Sequence, residues 1–404
     1  MAHSIDSVYA AIDQAIERRF DELVELRRDI HRHPELAWHE ERTTGQFSKF
    51  LANHGIDSSL GPRQRGLIAN FSSGDCPGVF AFRGDIDAIP VEEETGLEYA
   101  SLNTGIMHAC GHDIHGTVVA GTLLAIKDLV DQQLIDFPIA VRGIFQPAEE
   151  IAQGAREMIE VGAMDNVQAI VAMHIDPTRV AGKVGLSPGV HTAACDQLNV
   201  FIDGIGGHGA RPHETCDPIY AAADWIKQVY SRLQRSIDSR DPVAISICEM
   251  KGGSTVNVIP KRVKLRGTLR TLSTDSRKRC LATLQQISEA VADLSGTSIK
   301  IEWGDAVPPI VNSPEVVDLL NFAAKDYLDD QAVESVEPSM GSEDFSCFGE
   351  KAQAAMIRIG SRAPGSDCFP LHSAHLTVDE STIKIACNIM VRAAIRWWSG
   401  AARS

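Results

Sequence analysis

Apolar residues recur at helical spacing across residues 4–33, at Ala11, Ile12, Ile16, Phe20, Leu23, Leu26 and Ile30, and Pro34 ends the run. The spacing predicts a long opening helix with one buried face, stopped where proline removes a backbone donor. Beyond it the period changes. Short apolar runs of β type at 79–82, 139–145 and 169–173 end in Arg83-Gly84-Asp85-Ile86-Asp87, in Gln146-Pro147-Ala148-Glu149-Glu150 and in His174. Helical patterns at 116–130 and 155–161 alternate with these runs. The alternation predicts an α/β fold with a mixed, largely parallel sheet flanked by helices, its polar groups gathered at the strand ends.

From about residue 191 the rhythm becomes strand (198–203), helix (218–235), strand (243–250), strand (262–271), helix (275–294) and strand (298–303). This β-α-β-β-α-β order is the ferredoxin-like pattern, and it predicts an inserted, self-contained domain over 191–305. Past Pro308-Pro309 the α/β character returns as a helix at 314–329, a strand at 354–360 and a closing helix at 379–398. The first domain is therefore expected to be discontinuous, 1–190 and 306–404. A chain of 404 residues agrees with two cores rather than one.

Composition narrows the function. Lys and Arg number 38 against 54 Asp and Glu, a formal net charge of -16, which repels polyanions and argues against nucleic acid as a partner. No apolar run approaches the ~20 residues of a membrane span, and the opening residues lack a basic-then-apolar signal pattern. No membrane partner is expected, and the expected location is cytoplasmic. Nine cysteines without CxxC pairs do not make a disulfide framework in a chain of this size, so mostly buried, reduced thiols are expected.

The strongest chemical signal is Met107-His108-Ala109-Cys110-Gly111-His112-Asp113-Ile114-His115, three histidines, a thiol and a carboxylate within nine residues. Nitrogen and sulfur donors beside a glycine turn suit a borderline divalent metal. Glu149-Glu150 at a strand end adds two carboxylates pointing different ways, so one can ligate a metal while the other acts as general base. His174 and His372 supply further donors at expected strand ends and near the C-terminus. A competing motif, Gly204-Ile205-Gly206-Gly207-His208-Gly209, satisfies the dinucleotide G-x-G-x-x-G pattern, but Pro212 and Pro218 interrupt the helix that its third glycine would have to open.

Seven blocks in order resemble the co-catalytic two-metal peptidases and amidohydrolases, in the branch of hippurate hydrolases, N-acyl-amino-acid aminoacylases and auxin-conjugate hydrolases. They span 26–35, 83–90, 107–115, 145–150, 206–213, 253–260 and 340–345, nearly the whole chain. The resemblance implies two divalent ions, manganese or zinc first and cobalt or nickel next, with Cys110 bridging them and His112, Glu150, His174 and His372 completing the ligands. It implies Glu149 as the base and Asp87 as the carboxylate that orients the ligands. On the inserted domain, which the resemblance makes a lid and dimerisation domain, His208 would stabilise the oxyanion while Asn257 and Arg270 hold the substrate's carboxylate end. The implied activity is hydrolysis of an N-acyl amino acid to a carboxylate and a free amino acid, by a homodimer or larger homo-oligomer. An aminohydrolase releasing ammonia from an aromatic or amidine-like substrate, and a catalytically dead ligand-binding dimer, remain open. One departure stands out: Ser373-Ala374-His375-Leu376 follows His372 where relatives usually carry Asn-Pro.

Overall fold

Proline at position 34 does stop the opening helix: Ile5–Arg32 is one element, with Ile12, Ile16, Leu23 and Ile30 buried along one face. The computed structural model describes residues 5–400, so Ser4 of the expected helix lies outside the described residues. The chain divides into two compact units. One runs up to His191 and returns over Val311–Glu337 and from Glu343 onward; the other comprises Thr192–Ile310 with Pro338–Ser342.

The first unit is built on an eight-stranded mixed sheet. Its order is Ser58–Leu60, Leu67–Ser72, Ala140–Gln146, Val79–Asp85, Val167–Val180, Gln353–Arg362, Val184–Gly185 and Val333–Glu334. The four central strands, Ala140–Gln146 through Gln353–Arg362, run parallel. Their apolar runs are buried because helices cover the sheet. The helix His112–Asp131 is buried along nearly its whole length. Its first turn lies so close to the strand Val79–Asp85 that a Cβ at Gly84 would stand 2.6 Å from the His115 carbonyl oxygen. Glycine is required there because the helix start, which carries the donors, rests directly on strand backbone.

Several expectations need correction. The helix expected at 116–130 begins four residues earlier, at His112, since the left-handed Gly111 (φ +83°) turns the chain straight into it. His174 is not at a strand end: Val167–Val180 stops pairing with Val79–Asp85 at Ala172 yet stays paired to Gln353–Arg362 through Asp176. The inserted unit extends past residue 305 because its last strand, Ser298–Val307, pairs as far as Val307 with Cys195, and Ile310 N donates to Thr192 Oγ1. Residues 338–342 join it because Ser339 and Gly341 carbonyls accept from Ala193 N. The helix Glu41–Asn53 escaped the pattern because Thr43 and Thr44 fill core positions beside Phe47 and Leu51, leaving a thin apolar stripe.

The second unit is a four-stranded antiparallel sheet in the order Val243–Gly252, Arg262–Thr271, Ala194–Asp203, Ser298–Val307. With helices Pro218–Arg232 and Thr274–Ser295 it realises the β-α-β-β-α-β order. Leu198, Val200, Ile202, Val263, Leu265 and Leu269 are buried in a core of their own. Trp225 is fully buried there, its Nε1 donating to Ser288 Oγ at 2.9 Å. Among the described residues no helix is long and apolar enough to cross a membrane. All nine cysteines are free thiols, and five of them, Cys110, Cys195, Cys280, Cys347 and Cys387, are buried.

Trp225→Ala removes this unit's largest buried side chain and leaves the Ser288 hydroxyl without its donor, so it is expected to cost about 3–5 kcal/mol. Denaturant unfolding followed by far-ultraviolet circular dichroism checks this.

Candidate metal centre

Five segments of the first unit deliver its donors, His174 coming from Val167–Val180 and His372 from the loop after Gln353–Arg362. The turn 107–111 and the following helix start carry Cys110, His112 and His115; Val79–Asp85 and its continuation carry Asp85 and Asp87; the loop after Ala140–Gln146 carries Glu149 and Glu150. Gly111 is tightly constrained, since besides its positive φ a Cβ there would stand 2.3 Å from Ile175 Cδ1. Two sets of donor atoms, each lying within 4.8 Å of one another, share Cys110: Cys110, His112 and His174 in one, Cys110, Glu150 and His372 in the other. A third set, His112, Glu149 and Glu150, links them.

Ring orientation is set by hydrogen bonds that leave one nitrogen of each key histidine free. His112 Nδ1 lies 2.9 Å from the Asp87 carbonyl oxygen and 3.2 Å from Asp87 Oδ1, so Nδ1 is committed as a donor and Nε2 is the nitrogen left for a metal. That Nε2 is buried without a hydrogen-bond partner among the described residues. His174 Nδ1 likewise donates to the Ile175 carbonyl oxygen at 2.8 Å, and its Nε2 faces Cys110 Sγ at 3.6 Å. Asp87 Oδ2 also accepts from Glu150 N at 3.1 Å, so one carboxylate orients a histidine and a glutamate together. His372, itself at φ +66°, is held by its backbone N on the Ala109 carbonyl oxygen at 2.7 Å, and its Nε2 lies 3.2 Å from Glu150 Oε1.

The electrostatics suit a cation. Burial pulls the His112 imidazole down, but the Asp85 carboxylate and Cys110 overcome it and hold His112 well above its ordinary value. Burial first, then the Glu150 and Asp85 carboxylates, push the Cys110 thiol up to about 12 against the opposing pull of His112, so a thiolate there requires a further positive charge beside it. His174 is pushed down to about 3 by burial and by His115, which keeps it neutral, the form that ligates. Burial, then Glu343 and Asp344, raise Glu149 well above the usual carboxylate range, the direction that suits a general base working near neutral pH. A buried histidine nitrogen without a hydrogen-bond partner among the described residues, a thiol, the neutral His174 imidazole and clustered carboxylates make a donor set that fits divalent metal ions.

The centre draws in residues that the motif reading left unassigned. Asp85 Oδ1 lies 2.5 Å from His115 Nδ1, and the buried Arg83 reaches Asp85 Oδ2 at 2.6 Å, Glu343 Oε1 at 2.9 Å and Asp344 Oδ1 at 3.1 Å. The signals were present: His115 follows His112 by one helical turn, and Asp85 precedes Asp87 by one strand period. The unusual His375 is not among the donors; it folds back on Glu94, Nδ1 to the carbonyl oxygen at 3.1 Å and Nε2 to Oε2 at 3.3 Å. The other three candidates belong to the second unit. His208 is exposed and accepts from Ala210 N at Nδ1, the Asn257 carbonyl oxygen accepts from Gly209 N, and Arg270 Nη1 donates to the Met340 carbonyl oxygen at 2.9 Å.

Residues 81–396 match the family model for peptidase family M20/M25/M40. The chain belongs to this family. Among its M20 relatives, an N-acetylcysteine deacetylase of Bacillus subtilis is 34% identical over 384 residues, covering 95% of this chain and 98% of the relative. An N-acyl-L-amino acid amidohydrolase of Geobacillus stearothermophilus is 33% identical over 308 residues, 75% of this chain and 82% of the relative. The crystal structure of a Bacillus subtilis protein described as a dinuclear metal-binding peptidase from the M20 family superposes with a TM-score of 0.81 at 31% identity, covering 95% of this chain and 99% of that one.

Asp87→Asn keeps the side chain's shape but removes the charge that orients His112 and the Glu150 backbone. Metal affinity, measured by competition with a chelating dye, is expected to fall about 10- to 100-fold without a change in fold.

Proposed function

We propose that this M20 chain is a metal-dependent amidohydrolase that cleaves an N-acyl amino acid to a carboxylate and a free amino acid. The observation that carries the reading is the pair of donor sets meeting at Cys110, with Glu149 beside them. In this reading Cys110, His112, Glu150, His174 and His372 hold two divalent ions, manganese or zinc ahead of cobalt or nickel. When bound, such ions supply Lewis acidity to the scissile carbonyl and lower the pKa of water toward neutrality.

The proton movements fall to the chain's own groups. Glu149 takes a proton from the attacking water and returns it to the leaving nitrogen, the use for which its burial and acidic neighbours suit it. Asp87 keeps His112 Nε2 aimed and the Glu150 backbone in place. On the inserted unit, His208 is assigned to the oxyanion, and Asn257 with Arg270 to the substrate carboxylate, Arg270 through its planar fork. A cytoplasmic homodimer formed through that unit belongs to the same proposal, and light scattering of the purified protein checks its mass.

Two outcomes are expected. Incubated with manganese or zinc, the protein releases amino acid from a panel of acetyl-, benzoyl- and indoleacetyl-amino acids, and a chelator abolishes release; ammonia as the sole amine product would instead establish an aminohydrolase. Glu149→Gln retains the wild-type metal stoichiometry but lowers turnover about 10²- to 10⁴-fold, and full retained activity would remove Glu149 from the role.

A further inference from the structure

On the face of the sheet that carries His174 stands an arginine that makes no ion pair among the described residues. Arg358 lies in register with His174 across the parallel pair Val167–Val180 and Gln353–Arg362, and in register with Gly185 on its other side. Residues in register point to the same face of a sheet, with strands about 4.8 Å apart. Both His174 and Arg358 are partly exposed, whereas Ile357 and Ile359 on the opposite face are fully buried. Gly185 leaves room beside Arg358: a Cβ there would stand 3.1 Å from the Arg179 Cζ, so a second guanidinium occupies the same patch.

The nearby acids are already engaged by other groups. Asp176 accepts from Thr178 N at 2.9 Å and Thr178 Oγ1 at 2.5 Å and pairs with Arg179, which also reaches Glu334 at 3.2 Å. Arg358 makes no ion pair among the described residues; its one side-chain hydrogen bond is from Nε to His191 Nε2 at 3.3 Å. His191 is buried, and burial together with Arg358 pushes it down to about 4, so it is a neutral acceptor. A neutral ring that fixes Nε leaves the two terminal nitrogens of the guanidinium for an anion, the fork geometry that matches a carboxylate. A partly desolvated cation with no acidic partner is costly unless a ligand completes it.

We infer that Arg358, steadied by His191, is an anion subsite beside the metal centre that takes a second carboxylate of the substrate, making N-acyl amino acids with an additional acidic group the favoured class. The inference rests on the amidohydrolase reading for its substrate. The distance of one strand spacing from His174 corresponds to a short chain of two or three carbons, which either a dicarboxylic acyl group or an acidic amino-acid side chain supplies.

The test compares matched pairs on the manganese-loaded protein and on Arg358→Met, which keeps the packing of the apolar stem. N-succinyl-methionine against N-butyryl-methionine probes the acyl side; N-acetyl-glutamate against N-acetyl-glutamine probes the amino-acid side. The wild type is expected to favour the charged member of one pair by about 10- to 100-fold in kcat/KM, chiefly through KM. R358M should erase that preference while leaving the neutral members unchanged, and the pair that responds identifies the source of the carboxylate. Hydrolysis of the neutral members without any preference, or an equal loss on every substrate in R358M, overturns the subsite and leaves the amidohydrolase reading intact. Calorimetric titration with succinate and butyrate decides the subsite independently of turnover. Succinate binding at least tenfold tighter than butyrate in the wild type but not in R358M supports it, and equal binding in both proteins overturns it, whether or not any amide is hydrolysed.

Discussion

His112 Nδ1 donates to the Asp87 carbonyl oxygen at 2.9 Å, and that bond decides where the ring's other nitrogen points. With Nδ1 committed, Nε2 faces Cys110, Glu149 and Glu150 and has no hydrogen-bond partner among the described residues. A buried nitrogen left so costs about 1–3 kcal/mol, a penalty that a metal ion would remove. The surrounding geometry serves the same end. Gly84 lets the helix start settle on the strand, Gly111 turns the chain into that helix, and Asp87 holds the Glu150 backbone as well.

Around this centre the buried charges are cross-linked rather than isolated. Arg83 joins the end of Val79–Asp85 to Glu343 and Asp344, residues some 260 positions later in the chain. Arg27 meets Asp113 at 2.7 Å and Glu380 at 3.2 Å, tying the opening helix to the helix that carries His112 and to the approach of the last helix. Arg392 reaches both Asp13 and Asp326. Buried ion pairs of this kind add little net stability, because desolvation offsets their attraction, but removing one partner strands the other. Their effect is therefore positional: they fix distant segments in one register around the donors.

The same economy distinguishes the two arginines beside His174. Arg179 is paired to Asp176 and Glu334, whereas among the described residues Arg358 has a neutral histidine as its one side-chain hydrogen-bond partner and no ion pair. One is part of the framework and the other is available to a ligand. Nothing in residue type separates them, since both stand in or beside β-type runs.

Hydrophobic period was enough to read the α/β alternation, the parallel centre, the β-α-β-β-α-β insertion and the clustering of Cys110, His112, Glu149 and Glu150, because these depend on local spacing and short motifs. The thin apolar stripe of Glu41–Asn53 hid a helix whose core positions are partly threonines. His174 read as a strand end because the apolar run stops there, while the backbone pairing that extends the strand depends on a partner some 180 residues away. Asp85, His115, Glu343 and the unpaired Arg358 acquire meaning only from what stands next to them. Residue type and period are local properties, so the chain itself determined its elements and its donors. Which histidine nitrogen is left without a partner and which cation makes no ion pair are facts of long-range packing among the described residues, and tertiary structure alone decided them.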